Sequence, residues 1–465
     1  MADSIHIGFD QGTIVLDGLE ADSPLVAGLD LVWDHRVDAH RTEGSGYRRL
    51  VERLHERGVR FNDEAREFSR LETLSPLEPF VPYKHQQEAL AAWLAGGMAG
   101  VVVLPTGSGK TYLAMMAMHA CRRNTLIVVP TLDLLAQWVR VIEAMFGIEV
   151  GMVGGGAFDI RPVTVITYDS AARHMEHLGN RFGFVVFDEV HHLPGPVYSY
   201  IARFSLAPFR LGLTATPERQ DGGEAMLYTL VGPSLYSSQV SDLAGDILAP
   251  YDIIKVEVEL TAGEQTVYQE AREDYLEFCR SRGLRLGSPA GWQNFLSETC
   301  RSKRGQEAFE SYLLQKHIPL NSESKFHALS QIFQRHASDR IIVFTHVNEL
   351  AYRIARRYLC PVITHQTPPR ERVEILARFS SGEYSCVVTS KVLNEGVDVP
   401  EASVGIVLSG SSSVREHVQR LGRILRKKGK KQAQLYEVIA RGTHEENMSK
   451  RRRRHEAYRG RHAKK

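Results

Sequence analysis

A glycine-containing segment, Pro105-Thr-Gly-Ser-Gly-Lys-Thr111, leaves this chain few possible folds. It follows an apolar, β-branched run at 101–104 and precedes a helical pattern at 112–121. A strand, a glycine-rich turn and a helix in this order are typical of a parallel sheet that helices cover on both faces. The same rhythm recurs in short apolar runs spaced by helical patterns, at 125–129, 164–167, 184–187, 210–213, 340–344, 385–388, 404–408 and 434–439. The sequence therefore predicts an α/β fold with two parallel-sheet lobes.

The same segment has the composition of a phosphate-binding loop. Gly107 and Gly109 let backbone N–H groups approach a phosphate chain, and the N-terminus of the following helix adds partial positive charge. Lys110 can reach the β- and γ-phosphates of a nucleotide, and Thr111 can ligate Mg²⁺. We therefore predict a loop that binds ATP with Mg²⁺ through Pro105, Thr106, Gly107, Ser108, Gly109, Lys110 and Thr111.

Two adjacent carboxylates end another apolar run, in Phe184-Val-Val-Phe-Asp-Glu-Val-His-His192. Acids at the end of a buried strand are costly unless a cation or a reaction uses them. We expect Asp188 to hold Mg²⁺, directly or through water, and Glu189 to orient and deprotonate an attacking water. His191 then lies beside the γ-phosphate and can respond to its loss; a purely structural histidine is the alternative.

A basic helix face is predicted near the end of the chain, in Gln419-Arg-Leu-Gly-Arg-Ile-Leu-Arg426. Arg420, Arg423 and Arg426 recur at every third position, so they project from nearly one side of a helix. The transition state of phosphoryl transfer needs cationic donors, and a mobile second lobe can supply them when it closes. We therefore predict Arg423 and Arg426 as catalytic arginines; a solvated basic surface is the alternative.

Charge is unevenly distributed along the chain. The net charge is +2 over 465 residues, but residues 441–465 hold ten Lys and Arg against three Glu, and without them 47 basic residues face 52 acidic ones. A mildly acidic body does not attract a polyanion by its overall field, so nucleic acid must be held by local patches or by this tail. Lys450–Arg454 is the candidate for phosphate contacts in the tail; a solvated, disordered end is the alternative.

Cysteine usage and hydropathy argue against several classes of protein. The five cysteines never occur as C-x-x-C, which disfavours a zinc ribbon, an iron–sulfur cluster or a disulfide framework. No apolar run approaches the roughly 18 residues that a membrane helix needs, and residues 1–11 lack the pattern of a signal peptide. We expect an intracellular protein without a membrane partner.

Prolines and apolar runs suggest the domain boundaries. Three prolines in Leu74-Ser-Pro-Leu-Glu-Pro-Phe-Val-Pro82 mark the end of a small N-terminal α+β domain at 1–78. A polar, helical stretch without strand-like runs, at 262–317, is predicted as an inserted helical module. The remaining segments are lobe 1 at 79–245, lobe 2 at 246–261 and 318–445, and a basic, disordered tail at 446–465.

Together these motifs resemble the second superfamily of helicases. Further matches are Pro130-Thr-Leu-Asp-Leu-Leu135, Thr214-Ala-Thr216 and Thr389-Ser-Lys-Val-Leu-Asn-Glu-Gly-Val-Asp398, and order and spacing hold from 80 to 426. Within that superfamily the chain is similar to the XPB family of DNA-repair and transcription helicases, especially to its short archaeal and bacterial members. The likeness is carried by the fourth-position histidine of Asp188-Glu-Val-His191 and by the segments Gly212–Arg219, Asn394–Ala402 and Gly410–Arg426.

The resemblance implies two RecA-like lobes, a damage-recognition-like N-terminal domain and a thumb-like insertion. It also implies DNA-stimulated ATP hydrolysis and 3′ to 5′ unwinding at single-stranded DNA and duplex junctions, in repair such as nucleotide excision repair or in transcription-linked duplex opening. Gln86 would lie near the adenine, and the ATP site would also include Gly396, Asp398 and Gln419. Because one chain carries both lobes, a monomer can suffice. A chain this short favours the cytoplasm of a prokaryote, at the nucleoid.

The family pattern further implies residues that contact nucleic acid. Backbone N–H and hydroxyl groups near the phosphates would come from four residues that also stand at ordinary strand ends, Thr131, Thr167, Thr345 and Thr389. Trp292 or Phe295 of the helical module could stack on bases, although a core position is the alternative. An Arg-Glu-Asp element implicated in opening DNA is present here as Arg219-Gln-Asp221. Because Gln220 replaces a carboxylate, this departure affects strand separation rather than ATP hydrolysis.

Three other functions fit parts of the sequence, and a fourth fits it less well. A duplex DNA translocase would remodel DNA without processive unwinding, as Gln220 suggests. An ATP-gated scaffold would load a nuclease partner through the basic tail or the helical module. An RNA helicase fits as well, because phosphate-tracking motifs do not distinguish the sugars. A restriction-enzyme motor subunit would need a nuclease or target-recognition segment, for which we find no room.

Overall fold

The computed structural model describes residues 5–72, 74–216, 223–243, 251–286, 288–390, 402–408 and 433–453. Its residues divide into two units, of which one ends at Asp242 and the other begins at Leu243. Each unit is built on a large parallel sheet covered by helices, as the sequence predicts. Within the described ranges, no helix is long and apolar enough to cross a membrane.

The first unit begins with a small α+β domain. Its elements are β1 (Ile5–Asp10), β2 (Thr13–Asp17), β3 (Val32–Asp34), β4 (Ala39–Glu43), α1 (Tyr47–Glu56) and β5 (Phe61–Asp63), in the sheet order β3-β4-β2-β1-β5. Gln11 and Gly12 both have positive φ, as the two-residue turn of the β1–β2 hairpin requires. Leu50 and Leu54 of α1 pack in one cluster with the isoleucines of β1, because a four-residue spacing places both on the same face of the helix.

Residues 74–83 form neither helix nor strand, in agreement with their three prolines. The N-terminal domain is nevertheless docked on the lobe that follows. Arg48 donates from Nη1 to the carbonyls of Gly97 and Pro208, at 2.8 and 3.1 Å. A Cβ atom on Gly12 would lie 2.4 Å from the ring of Phe204, so the two surfaces meet closely at a glycine. The predicted boundary therefore separates two domains that pack into one unit.

Lobe 1 completes the first unit. Its elements are α2 (Lys84–Ala95), β6 (Ala99–Val103), α3 (Lys110–Cys121), β7 (Thr125–Val129), α4 (Leu132–Phe146), β8 (Gly151–Gly154), β9 (Ala157–Asp159), β10 (Val163–Thr167), α5 (Tyr168–Leu178), β11 (Phe184–Asp188), α6 (Ser199–Arg203), β12 (Phe209–Thr214), α7 (Glu224–Val231), β13 (Ser234–Ser237) and α8 (Val240–Leu243). The described strands follow the order β13-β6-β12-β11-β7-β10-β8-β9 and are parallel except for the β8–β9 hairpin.

The five central strands of this sheet are the apolar runs that the sequence predicts. They are buried along their length because helices cover both faces: Val102 faces the cluster that includes α3 and α4, and Val101 faces the cluster that includes α5. The hairpin β8–β9 and the edge strand β13 are short, and no apolar run in the sequence predicts them. The carboxyl ends of the parallel strands meet at one edge of the sheet, where open α/β folds bind ligands.

The second unit contains lobe 2 and the helical module. Its elements are β14 (Tyr251–Val258), α9 (Ala262–Ser281), α10 (Pro289–Thr299), α11 (Lys303–Asn321), α12 (Glu323–Arg335), β15 (Ile341–Phe344), α13 (Asn348–Tyr358), β16 (Val362–Ile363), α14 (Pro369–Ser381), β17 (Cys386–Thr389), β18 (Val404–Val407), β19 (Ala433–Ala440) and α15 (His444–Arg453). The described strands are all parallel, in the order β14-β19-β18-β15-β17-β16.

Two expectations for the second unit need correction. The tail predicted as disordered from residue 446 is helical up to Arg453, because α15 is anchored by Ser449, whose hydroxyl donates to Oε2 of the buried Glu437 at 2.9 Å. Phe295 is not available for base stacking, since it is fully buried in an aromatic cluster of α9, α10 and α11. The predicted module contains α9, α10 and α11, and α11 ends at Asn321 rather than at 317.

Candidate active site

The glycine-containing loop joins β6 to α3 at the carboxyl edge of the lobe 1 sheet. Gly107 and Gly109 have φ of +87° and +85°, a conformation that only glycine adopts without strain. Ser108 closes the turn, because its hydroxyl donates to the carbonyl of Pro105 at 2.7 Å. The helix starts at Lys110, so its free backbone N–H groups point toward the loop. The local geometry is that of a phosphate cradle.

Helix α2 supports this loop from behind. Gln86 donates from Nε2 to the carbonyls of Ser108 and Gly109, at 3.1 and 3.4 Å, and a Cβ atom on Gly109 would lie 2.3 Å from that nitrogen. Nε2 of His85 is 2.8 Å from the same Ser108 carbonyl. The structure thus places Gln86 against the loop backbone, and its contact with adenine stays a prediction. His85 was not predicted; its position next to Gln86 on a buried helix face is the only signal for it.

Lys110 points at the acidic pair rather than at solvent. Its Nζ lies 3.6 Å from Oε1 of Glu189, and both side chains are only about a tenth exposed. Among the described residues, Nζ has no hydrogen-bond partner. A buried ammonium without hydrogen bonds is costly, and a phosphate oxygen would supply them. The residues of the loop therefore fit a nucleotide phosphate chain.

Asp188 and Glu189 lie at the carboxyl end of β11, beside the loop. Burial and the charge of Glu189 raise the pKa of Asp188 to about 6, while Lys110 and the indole N–H of Trp138 oppose this rise. Oδ1 of Asp188 accepts from the backbone N–H of Glu189 at 3.0 Å. Glu189 has a φ of +47°, a left-handed conformation that is strained for a glutamate. The sequence predicted both acids, and the structure brings them to Lys110.

His191 connects the acidic turn to the end of β12. It is 1% exposed, and its Nδ1 lies 3.1 Å from Oγ1 of Thr214 and 3.4 Å from Oε2 of Glu189. The Thr214 hydroxyl donates to the carbonyl of Thr216 at 3.0 Å, so it can accept a hydrogen bond from Nδ1–H of His191. The histidine is therefore in contact with both motifs that flank the predicted γ-phosphate position.

Two aromatic residues of this site were missed by the sequence reasoning. Trp138 of α4 donates from Nε1 to Oδ2 of Asp188 at 2.9 Å. The hydroxyl of Tyr168, at the start of α5, donates to the backbone carbonyl of Asp188 at 3.1 Å. Burial raises the pKa of Tyr168 well above its usual value, so the hydroxyl keeps its proton. The sequence predicts both residues only as core positions, and no local pattern indicates that their polar atoms contact Asp188.

Two of the four threonines predicted to contact nucleic acid cap helices at this edge. The hydroxyl of Thr131 accepts from the N–H of Leu134 at the start of α4, and that of Thr167 accepts from the N–H of Ser170 at the start of α5, both at 3.3 Å. Their strands, β7 and β10, are parallel neighbours, with Thr167 paired with Val129. The two helix N-termini therefore open on the same edge of the sheet.

The other two threonines need correction. Thr345 and Thr389, at the ends of β15 and β17, are fully buried. Their hydroxyls donate to the carbonyls of Val347 and Ser390, at 3.1 and 3.0 Å, so they are engaged in the fold and are not presented to a phosphate. The remaining predicted site residues lie outside the described ranges: Arg219, Asp221, Gly396, Asp398, Gln419, Arg423 and Arg426.

Three family models match the chain in succession. They are "Xeroderma pigmentosum group B helicase damage recognition domain" at 7–65, "Type III restriction enzyme, res subunit" at 79–219, and "ERCC3/RAD25/XPB C-terminal helicase" at 307–462. The res-subunit match covers lobe 1 alone, and the matches on either side of it are to XPB domains.

Curated relatives point to the same family. The chain is 44% identical to the DNA 3'-5' translocase XPB2 of Sulfurisphaera tokodaii, over 79% of this chain and 84% of the relative. It is 33% identical to the DNA 3'-5' helicase XPB of Kineococcus radiotolerans, over 81% of this chain and 63% of the relative. It is 27% identical to the general transcription and DNA repair factor IIH helicase/translocase subunit XPB/SSL2 of Saccharomyces cerevisiae, over 80% of this chain and 43% of the relative. The chain thus spans most of the archaeal relative and less than two thirds of the others.

A solved structure supports the fold. The helicase domain of Pyrococcus furiosus Hef matches with a TM-score of 0.52 at 21% identity, over 79% of this chain and 97% of that domain. At this identity the match bears on the architecture, and it agrees with the predicted α/β lobes. The identity of 44% over most of both chains, together with the two XPB domain matches, shows more: the chain belongs to the XPB family of superfamily 2 helicases.

Proposed function

We propose that this chain hydrolyses ATP in response to DNA and uses the reaction to move along DNA in the 3′ to 5′ direction. The observation that carries the proposal is the nearly buried Lys110 ammonium, which ends a glycine cradle, lies beside Glu189 and has no hydrogen-bond partner in the described part of the chain. The direction and the nucleic acid come from the names of the relatives, which are DNA 3'-5' helicases and translocases.

The loop and the acidic turn divide the ATP chemistry between them. Lys110 would bind the terminal phosphates, and Thr111 and Asp188 would hold Mg²⁺, which neutralises phosphate charge when bound. Glu189 would orient the attacking water and take its proton. In the described ranges, no three His, Cys, Asp or Glu side chains gather into an all-protein metal site. One carboxylate with one hydroxyl is the donor set that Mg²⁺ uses beside a nucleotide.

Further residues complete the proposed ATP site. His191 would sense the γ-phosphate, since it contacts both Glu189 and Thr214. Arg423 and Arg426 would stabilise the charge of the transition state. The remaining members of the proposed ATP site are Gln86, Gly396, Asp398 and Gln419.

DNA would meet lobe 1 at the N-termini of α4 and α5. The backbone N–H groups behind the Thr131 and Thr167 caps carry partial positive charge and suit phosphates at any base sequence. Arg219 and Asp221 come three and five residues after Thr216, the end of the Thr214-Ala-Thr216 segment, and would act where strands separate. Contacts to phosphates should make the affinity fall as salt rises.

A duplex translocase is the second candidate. Gln220 replaces the carboxylate of the strand-opening element, and the relative that is 44% identical is named a translocase rather than a helicase. Parallel strand-displacement and triplex-displacement assays separate the two activities. A helicase displaces a strand from a forked duplex, whereas a translocase without unwinding displaces only the third strand of a triplex.

A role in repair, at the nucleoid of a prokaryote and with a nuclease partner, is also part of the proposal. The match to the damage recognition domain at 7–65 supports it. Cells that carry Glu189→Gln should lose repair if hydrolysis is required. Full repair by that variant would favour the ATP-gated scaffold that loads a nuclease.

A further inference from the structure

Asp188 is held by two aromatic side chains that come from different helices. The indole of Trp138 donates to its carboxylate Oδ2 at 2.9 Å, and the hydroxyl of Tyr168 donates to its backbone carbonyl at 3.1 Å. Trp138 is 1% and Tyr168 is 2% exposed, so water does not compete for either bond. Together they fix both the carboxylate and the peptide of one residue.

Each of these aromatic residues belongs to a helix whose N-terminus opens on the carboxyl edge of the sheet. Trp138 lies in α4, two turns after the Thr131 cap. Tyr168 is the first residue of α5 and follows the Thr167 cap directly. Strand β7, which leads to α4, lies between β10 and β11 in the sheet, so the three strand ends are neighbours. A ligand that shifts the start of either helix therefore acts on a hydrogen bond to Asp188.

We propose that Trp138 and Tyr168 are positioning residues that couple DNA at the N-termini of α4 and α5 to the Asp188–Glu189 turn. The inference rests on the proposed function, because it takes DNA as the ligand of those N-termini. A helix moves as a rigid element, so DNA that binds at its first turn also displaces the hydrogen-bond donor to Asp188 that the same helix carries. The coupling is reciprocal: nucleotide bound at Asp188 changes the affinity for DNA by the same factor.

This connection differs from the one through His191. That histidine contacts Glu189 and Thr214 and reaches the segment after β12. Trp138 and Tyr168 contact Asp188 instead and reach the starts of α4 and α5. Removing either donor leaves a buried oxygen of Asp188 without that partner, so the orientation of the turn changes.

A purely structural role is the competing explanation, because buried indole and phenol groups usually find a partner. The chain offers a matched control for each. Trp93 is equally buried in the same hydrophobic cluster as Trp138, and its Nε1 donates to the carbonyl of Arg210 at 3.0 Å. Tyr47 is buried in the N-terminal domain, and its hydroxyl donates to Oδ2 of Asp63 at 2.6 Å. Neither control touches Asp188.

The test measures DNA binding by the full chain without turnover. Fluorescence anisotropy with labelled single-stranded DNA gives Kd in the absence and in the presence of Mg²⁺ and a non-hydrolysable ATP analogue. The ratio of the two Kd values is the coupling. It is compared for wild type, Trp138→Phe, Tyr168→Phe, Trp93→Phe and Tyr47→Phe, with thermal unfolding of each variant. Tyr168→Phe removes a single oxygen, so it keeps the test available if Trp138→Phe does not fold.

We expect the coupling of Trp138→Phe and Tyr168→Phe to move toward one by about three- to tenfold, while both controls stay within about twofold of wild type. The stimulation of ATP hydrolysis by DNA should fall in parallel. Wild-type coupling in both variants would overturn the inference and leave the proposed function intact. A wild-type chain without coupling and without DNA-stimulated hydrolysis would overturn both.

Discussion

The ammonium of Lys110 lies 3.6 Å from the nearest carboxylate oxygen of Glu189, and both side chains are nearly buried. At this distance the pair attracts but does not form a hydrogen bond. The lysine is therefore held at the mouth of the glycine cradle by a carboxylate that the proposed chemistry needs for water. On the proposed function, a phosphate bound in the cradle would compete with Glu189 for Lys110, so we expect nucleotide binding to free the base.

Glu189→Gln should separate binding from turnover. Without the carboxylate, the attacking water loses its base, and we expect kcat to fall by about 10² to 10⁴. Nucleotide affinity should stay the same or rise, because Lys110 no longer interacts with a charge on residue 189. Fluorescent-nucleotide titration and steady-state hydrolysis measure the two effects. Glu176→Gln, at an exposed position of α5, serves as the control. Turnover close to wild type in Glu189→Gln would show that Glu189 is not the base that activates the attacking water.

Thr214→Val should weaken mechanical work more than ATP hydrolysis. The variant keeps the shape of the side chain but loses the hydroxyl, which contacts His191 and both backbone groups of Thr216. Thr216 lies three residues before Arg219, the first residue of the Arg219–Asp221 element. We expect strand or triplex displacement per ATP hydrolysed to fall severalfold and the chain to lose about 1 to 3 kcal/mol of stability. The control is Thr229→Val, since that exposed hydroxyl bonds only within α7. Equal losses of displacement and hydrolysis would contradict a role of Thr214 in linking ATP hydrolysis to the Arg219–Asp221 element.

Lys325→Met should destabilise the second unit. Nζ of Lys325 is buried and donates to the carbonyl of Leu408 at 2.8 Å and to Oε1 of Glu445 at 2.6 Å. Loss of the cation leaves a buried charge on Glu445, which costs about 3 to 5 kcal/mol of unfolding free energy. The double variant Lys325→Met/Glu445→Gln should recover part of this loss. Calorimetry shows whether it does, with Arg301→Met, an exposed ion pair, as the control.

His444 should make the second unit sensitive to acid. Burial, with the positive charges of Lys316, Lys325 and Arg272, lowers the pKa of His444 to about 4. The pKa of a histidine in an unfolded chain is about 6.5. Between about pH 6.5 and 4, the unfolded chain therefore binds a proton that the folded chain does not. Stability therefore falls as pH drops through this window, by about 3 kcal/mol, and is unaffected above it.

The measurement for His444 is the thermal midpoint of wild type and His444→Gln at pH 7.5, 6.5, 5.5 and 4.5. The difference between the two midpoints should change across the acidic window and stay constant above it. His177→Gln, at an exposed position, should follow wild type at every pH. Parallel curves for wild type and His444→Gln would show that this histidine is protonated in the folded chain as easily as in the unfolded one.

Local sequence patterns predicted the parts of the structure that depend on neighbouring residues. The cradle from Pro105 to Thr111 is predicted by its own glycines and the helix that follows, and the buried strands are predicted by continuous apolar runs. The acid pair was predictable for the same reason, since Asp188 and Glu189 directly end such a run. The hairpin β8–β9 was not predicted because its strands are short and show little apolar pattern, and β8 begins and ends with glycine.

Contacts between distant segments could not be predicted in this way. Trp138 and Asp188 are 50 positions apart, and the spacing of Trp138 in α4 indicates only a core position. The hydroxyls of Thr345 and Thr389 turn inward because backbone carbonyls of neighbouring turns accept their protons, which a single strand-end threonine does not reveal. Helix α15 forms where composition favours disorder because two of its residues have buried partners: Ser449 donates to Glu437 of β19, and Glu445 accepts from Lys325 of α12.

The most direct test of the account is steady-state ATP hydrolysis by wild type and Lys110→Ala, without nucleic acid and with single-stranded DNA, forked DNA and RNA of matched length. We expect strong stimulation of wild type by DNA, little by RNA, and a loss of at least about 100-fold in Lys110→Ala under every condition. Equal stimulation by RNA, no stimulation by any polymer, or full activity in Lys110→Ala would contradict a DNA-driven ATPase centred on this lysine.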